Sequence, residues 1–260
     1  MRVAIYQGPQ ESESVEDNLV AIETAMATAA AEGVDLVITP EMSTTGYNVS
    51  DGYASTAEGG DGPINQRMAE LCRKHGVALI YGYPERTDGT LYNTATVRDA
   101  EGTELARYRK THLFGGFETK HFTPADDLVV QFDLHGLRCG IVVCYDVEFP
   151  EVVRAHADAG TALLLVPTAL MTPFTFVAEQ VVPVRAYENE LCLVYANRCG
   201  REGSLTYVGR SCAIASDGAE LARAGLGEEL LIADISEAAL EAGHKLNTYL
   251  PDRRLDLYGG

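Results

Sequence analysis

Three polar residues stand where apolar, strand-like runs give out. Glu41 follows "LVITP", Lys110 closes "ELARYRK", and Cys144 closes "LRCGIVVC". α/β sheets build their sites at the carboxyl ends of strands, so three strands can deliver a carboxylate, an ammonium and a thiol to one edge. A thiol with a pKa of about 8.5 is only a few per cent thiolate at neutral pH, and a nucleophilic cysteine therefore needs a base or a nearby cation. A glutamate can take the thiol proton and pass it to a leaving amine. A lysine can stabilise both the thiolate and the oxyanion formed on attack. General acid–base work contributes about 10²- to 10⁴-fold, and losing one oxyanion donor costs about 2.7 to 4 kcal/mol. The set is thus sufficient for amide-bond chemistry without histidine or metal. Each residue also has a plainer reading: a packed strand-end thiol, a turn or capping carboxylate, a solvated loop cation. Spacing alone leaves both open.

Other constellations are missing. There is no G-x-x-x-x-G-K-[ST], no G-x-G-x-x-G after a strand and no G-x-S-x-G, and the six histidines lack H-E-x-x-H spacing. Neither a cofactor nor a metal is expected. Cys139, Cys192 and Cys212 lie inside apolar runs and read as small core fillers; Cys199, beside Gly200, reads as a loop residue. A Cys-His hydrolase would have to use His112, two positions beyond Lys110, whose plainer reading is a structural hydrogen-bonding histidine.

The elements that must position these residues alternate between strand and helix. "RVAIYQG" reads as a buried strand, Ser14 and Asp17 cap the helical run "VEDNLVAIETAMATAAAE", and "VDLVITP" is a second strand broken by Pro40. "DGPINQRMAELCRKHG" is a helix with Pro63 at its start and Gly76 at its end, leading to the strand "VALIYGYPE". "LYNTATVRD" and "ELARYRK" form one hairpin, and "DLVVQFD" and "LRCGIVVC" flank "LHG" as another. "PEVVRAHADAG" is helix, "TALLLVPTA" strand, "PFTFVAEQVVPVRAYENE" mostly helix despite Pro183, and "LCLVYANRCG" strand. "YVGRSCAIAS" and "EELLIADI" read as a late antiparallel pair, followed by the helix "SEAALEAG". The mixture predicts α/β with a mixed sheet or two sheets. With no repeat, linker or composition break, residues 1–260 read as one domain, in which 247–260 is a frayed tail or an arm on a partner subunit.

Composition narrows the partners. With 46% hydrophobic and 22% charged residues the chain is expected to fold as a soluble globule. The formal charge of −18 repels phosphate backbones and anionic membrane surfaces, so neither nucleic acid nor membrane is an expected partner. "MRVAIYQGPQ" lacks the features of a signal peptide, no apolar run approaches the roughly 18 residues of a membrane span, and six sparse cysteines suit a reducing compartment. The expected location is cytoplasmic.

The chain resembles the nitrilase superfamily of carbon–nitrogen hydrolases, nearly end to end. "TPEMSTTGY" is similar to the family's glutamate block, "RYRKTHLFGGFE" to its lysine block and "GIVVCYDVEFPE" to its cysteine block, in the family's order. "VRAYENELCLVYANRCG" and "YLPDRRLDLY" resemble two further segments. The resemblance implies a four-layer α-β-β-α sandwich. It also implies Glu41 as general base and acid, Lys110 as oxyanion cation, Cys144 as nucleophile, Glu118 as a second glutamate orienting substrate or lysine, and the Tyr145 N–H as the other oxyanion donor. It further implies a homodimer or larger assembly formed through the outer helices, with the tail crossing the interface.

The implied reaction is hydrolysis of a small amide to acid and ammonia through a thioester. A nitrilase or N-carbamoyl amide hydrolase would use the same residues, and a non-catalytic binding protein could keep the fold. Tyr145-Asp146 after the cysteine is closer to amidases than to true nitrilases, whereas Glu148 replaces the arginine common in omega-amidase-like members. Candidate pocket residues are Phe174, Phe176 and Tyr207, with Thr168 and Ala169 offering contacts at a strand end.

Overall fold

A computed structural model of the chain describes residues 1–11, 14–49 and 52–258. The first sheet shows why its strands read as unbroken apolar runs. In β1 (Arg2–Gln7), Val3 and Ile5 face one hydrophobic cluster and Ala4 another. In β2 (Leu36–Ile38), Leu36 and Ile38 face the first and Val37 the second. In β3 (Ala78–Thr87), Ala78 and Ile80 oppose Leu79, Tyr81 and Tyr83 in the same way. The period of two is intact, but both faces are dry, so alternation of polarity disappears.

Helices cover the outer face. In α1 (Val15–Ala31) the Ser14 hydroxyl caps the first turn by accepting from the Asp17 N–H at 3.1 Å, and the helix buries Leu19, Ile22 and Met26. After the single turn α2 (Tyr53–Thr56), α3 (Pro63–His75) starts on a proline, ends on left-handed Gly76, and adds Ile64, Met68 and Leu71. Strands β4 (Thr90–Arg98) and β5 (Glu104–Arg109) extend this sheet on one edge, and β14 (Glu229–Asp234) closes the other, giving the order β14-β1-β2-β3-β4-β5.

The short helix α4 (Gly115–His121), seven residues long, leads into a second sheet. It contains β6 (Val130–Leu134), β7 (Leu137–Ile141), β8 (Leu163–Pro167), β9 (Cys192–Ala196), β12 (Cys212–Ile214) and β13 (Glu220–Arg223), in the order β13-β12-β9-β8-β7-β6. Helices α5 (Pro150–Asp158) and α6 (Val182–Asn189) pack on it. Gly140 permits this on β7, because a Cβ there would stand 2.5 Å from His156 Nδ1 of α5. One core cluster joins Ile5, Ile38, Ile80 and Val97 of the first sheet to Ile141, Leu165, Val194 and Ala213 of the second. The architecture is therefore a four-layer α-β-β-α sandwich. A short hairpin, β10 (Arg201–Glu202) and β11 (Leu205–Thr206), and a last helix, α7 (Glu237–Leu246), complete it. None of the described helices is long and apolar enough to cross a membrane.

Three local expectations change. "YVGRSCAIAS" and "EELLIADI" do not pair with each other. The first pairs with β13 across the Ser216–Gly218 turn, while β14 crosses to the other sheet and pairs antiparallel with β1, Arg2 opposite Asp234 and Gln7 opposite Glu229. Second, β3 does not stop near Glu85 but runs through Pro84 to a two-residue turn, Asp88-Gly89, and returns as β4. Pro84 is tolerated because β2 pairs with β3 only from Ala78 to Ile80, so no ladder donor is needed there. Third, the helix expected over this stretch forms but is not regular: a π-type turn, Val177–Val181, runs without a break into α6, and Pro183 follows just after it. Residues 247–258 form turns, and Gly259 and Gly260 of the tail lie outside the described residues.

Buried Glu85 clips β3, β4 and β5 together immediately before Lys110. It accepts from Arg109 Nε and Nη2 at 2.7 and 2.8 Å, from Arg107 Nη1 at 2.7 Å and from the Thr94 hydroxyl at 2.9 Å. Burial, the largest single influence, pushes its pKa up, yet the arginine and threonine hydrogen bonds outweigh burial and hold it at about 2 against the usual 4.5. A depressed carboxylate pKa stabilises the fold above the unfolded value and ceases to do so as pH falls through the folded value. Glu85→Gln is expected to cost about 2–3 kcal/mol near pH 7. Urea midpoints of wild type and variant should converge as pH falls from about 4.5 toward about 2.

Candidate active site

Glu41 lies just beyond the end of β2, Lys110 immediately after β5, and Cys144 three residues beyond β7. The sandwich brings all three together. Lys110 Nζ donates to Glu41 Oε1 and to Glu118 Oε1, both at 2.7 Å, and all three side chains are fully buried. Asn93 of β4 donates to the same Glu41 oxygen at 2.6 Å, and the Tyr47 hydroxyl donates to Glu118 Oε1 at 2.7 Å. The second oxygen of Glu118 accepts from the Phe114 N–H at 2.7 Å. The second oxygen of Glu41 has no hydrogen-bond partner among the described residues, although it is buried. The Cys144 thiol is close enough to the Glu41 carboxylate to stabilise its ionised form.

The electrostatics follow from one cation standing between two carboxylates. Burial would strip the charge from Lys110, but Glu118 and Glu41 more than reverse this, and its pKa rises well above the usual lysine value. Burial also raises Glu41; Lys110 opposes that rise and the charge of Glu118 adds to it. Two carboxylates and one ammonium leave one net negative charge in a dry space. A thiolate would add a second, so burial and the Glu41 charge push the Cys144 pKa well above its usual value despite Lys110. The resting thiol is therefore protonated, beside a carboxylate whose proton affinity has been raised.

Cys144 adopts a left-handed backbone conformation, φ +52°, which costs a non-glycine residue about 1–3 kcal/mol. Buried Asp146 holds the turn: its Oδ2 accepts from the Val143 N–H at 3.2 Å, while its N–H donates back to the Val143 carbonyl at 3.2 Å. Asp146 Oδ1 accepts from the Thr111 hydroxyl and the His112 N–H, both at 2.8 Å, tying the loop after Lys110 to the turn at Cys144. The Tyr145 N–H makes no hydrogen bond among the described residues. His112 does not line the site; its Nδ1 lies 2.9 Å from Asp146 and its ring stacks on Phe149 at 4.1 Å.

A model of the family described as carbon-nitrogen hydrolase matches residues 2–245. The chain belongs to the carbon-nitrogen hydrolase family. A Pseudomonas protegens protein called a hydrolase in the pqqF 5' region is 43% identical, over 99% of this chain and 90% of its own length. An (R)-stereoselective amidase of a Pseudomonas species is 32% identical, over 100% of this chain and 93% of its own. Among solved structures, an amidase from Nesterenkonia sp. AN1 is 34% identical, with a TM-score of 0.89, covering 99% of this chain and 98% of its own. That amidase was solved as a mutant with acrylamide added at its active-site cysteine.

In this hydrolase, Cys144 opens into a narrow pocket lined by Tyr47, Phe114, Tyr145, Glu148, Ala169, Leu170, Met171 and Phe174. Ala169 and Phe174 are therefore wall residues. Thr168 is not in the wall; buried between Tyr195 and the thiol, it favours the ionised form of Cys144. Phe176 lies outside the pocket and is 68% exposed, because the chain turns away after Phe174. Tyr207 is buried behind the wall: it bridges to Met171 and its hydroxyl donates to Glu202, whose carboxylate accepts from the Tyr47 and Asn48 N–H groups. Tyr207 thus supports the Tyr47 loop without lining the cavity around Cys144.

Sequence reasoning missed Asn93, Tyr47, Asp146 and Gly82. Asn is depleted in strands, so its place inside "LYNTATV" was a readable signal. Gly82 has a steric role: a Cβ there would stand 2.4 Å from the Met42 nitrogen and 3.1 Å from the Glu41 carbonyl carbon. Gly82→Ala is accordingly expected to displace Glu41 while leaving the sandwich folded, lowering turnover by about 10²-fold. Steady-state kinetics with a circular dichroism control checks this.

Proposed function

We propose that this carbon–nitrogen hydrolase cleaves a small amide to the carboxylic acid and ammonia through a thioester on Cys144. The observation that carries the reading is the division of labour on Glu41: one oxygen is held by Lys110 and Asn93, the other is buried without a partner among the described residues, and the carboxylate is within the influence of the Cys144 thiol. The Cys144 sulfur attacks the amide carbon as its proton passes to Glu41, so the net charge of the site does not change. Lys110 and the free Tyr145 N–H receive the oxyanion. Glu41 then gives the proton to the departing nitrogen, the C–N bond breaks, and a thioester remains. Water loses a proton to Glu41 as it attacks the thioester carbon, and the returning proton restores the thiol. Glu118 holds Lys110 in place and does not itself touch the reacting atoms. The amidases among the relatives support an amide as substrate, and the small cavity supports a short acyl group.

Trapping an acyl group on Cys144 by mass spectrometry, with ammonia as co-product, tests the route. Cys144→Ala is expected to abolish turnover, and Glu41→Gln to reduce it by about 10²- to 10⁴-fold. Carbon dioxide among the products would point to a carbamoyl substrate instead. Because Glu41 must be ionised to accept the proton and its pKa is raised, kcat/KM should fall on the acid side with an apparent pKa above the ordinary 4.5.

We also infer that the arm pairs subunits across the α5 and α6 face. The arm exposes Leu255, Leu257 and Tyr258, yet it is anchored to its own protomer. Arg253 binds Asp158 of α5 at 2.6 and 3.2 Å, and Glu190, just after α6, accepts from the Tyr249 N–H at 3.0 Å. Light scattering at micromolar concentration should give a dimer or larger mass, and removal of 248–260 should lower it.

A further inference from the structure

The pocket wall contains one carboxylate, Glu148, and no cation among the described residues pairs with it. Glu148 is half-buried, and among the described residues its carboxylate makes no hydrogen bond and no ion pair. The two cations that influence it are committed elsewhere. Lys110 is held by Glu41 and Glu118. Arg185 donates to the Val147 carbonyl at 3.1 Å, to the Glu148 carbonyl at 2.7 Å and to Glu188 at 2.8 Å. The guanidinium thus fixes the Glu148 backbone while leaving its carboxylate free to face the cavity. Burial pushes the Glu148 pKa up, which is the mark of a carboxylate short of a compensating charge.

The remaining wall is apolar and aromatic. Phe114 meets Tyr145 edge-on at 5.2 Å and Phe174 at 5.6 Å, so three rings surround the same space. A carboxylate in an aromatic-lined wall is suited to a small ammonium group, which gains a charge-assisted hydrogen bond from the carboxylate and, over a ring face, cation–π attraction. A carboxylate on the substrate would meet Glu148 and the net negative charge of the Lys110 cluster, and would be repelled. The formal charge of −18 on the chain also favours the approach of cations.

We propose that Glu148 is a specificity-determining residue that selects amides bearing a protonated amine on the acyl side, close to the scissile carbonyl, as in 2-amino amides. The proposal rests on the amidase reading given above. The test compares racemic alaninamide, predominantly protonated at pH 7, with isobutyramide, in which a methyl group replaces the ammonium. Two quantities are measured: kcat/KM by ammonia release, on wild type and Glu148→Gln, and Kd by calorimetry, on Cys144→Ala with and without Glu148→Gln. Wild type should favour alaninamide by both measures. Glu148→Gln should reduce the alaninamide-to-isobutyramide ratio by roughly 10-fold or more, mainly through KM, and Glu148→Asp, which keeps the charge, should retain the preference. A ratio unchanged by Glu148→Gln, or a wild type that prefers isobutyramide, overturns the proposal and leaves amide hydrolysis standing. If no amide is turned over, the amidase reading fails instead, and the Kd ratio on the Cys144→Ala background still decides the preference of the pocket.

Discussion

The site depends on one buried ammonium shared by two buried carboxylates. Removing three ionised groups from water is costly, and such an arrangement persists only where hydrogen bonds compensate the lone pairs. Here Asn93 and Tyr47 supply the supplementary donors, and the Phe114 N–H takes the outer oxygen of Glu118. Among the described residues, every oxygen of the pair is thus satisfied except Oε2 of Glu41. That unsatisfied atom is the one free to receive a proton in the proposed route.

The rest of the sandwich serves this geometry. Glu41 reaches the site from the first sheet and Cys144 from the second, and the Glu41 N–H donates to the Thr168 carbonyl at 3.3 Å, bridging the two. Asp146 joins the loop after Lys110 to the strained turn at Cys144, so the strain is held by a carboxylate with four hydrogen-bond contacts around it. On the other side, buried Arg198 donates to the Met42 carbonyl at 3.3 Å and fixes the turn that carries Glu41.

Glu41, Lys110 and Cys144 could be picked out from the chain because polar residues directly after apolar strands stand out locally. The partners that make them a site could not, since Asn93 and Tyr47 act across distances in sequence that no periodicity encodes. The same limit separates β14 from the strand it was expected to join: its apolar pattern fits either sheet, and only the pairing with β1 chooses between them. Phe174 and Phe176 show the limit at short range. Two aromatic residues with equal sequence claims part company because the chain bends between them, leaving one in the cavity wall and the other in solvent. Glu148 was visible as a replacement, but its importance lies in what fails to surround it.

A cysteine kept in its thiol form differs in endurance from one kept ionised. Peroxide reacts with thiolates, and the first oxidation product, a sulfenic acid, forms in proportion to the ionised fraction and to access. Cys144 is buried, and burial together with the Glu41 charge favours its protonated form. A resting thiol offers peroxide less of the ionised form it attacks than a resting thiolate–imidazolium pair does.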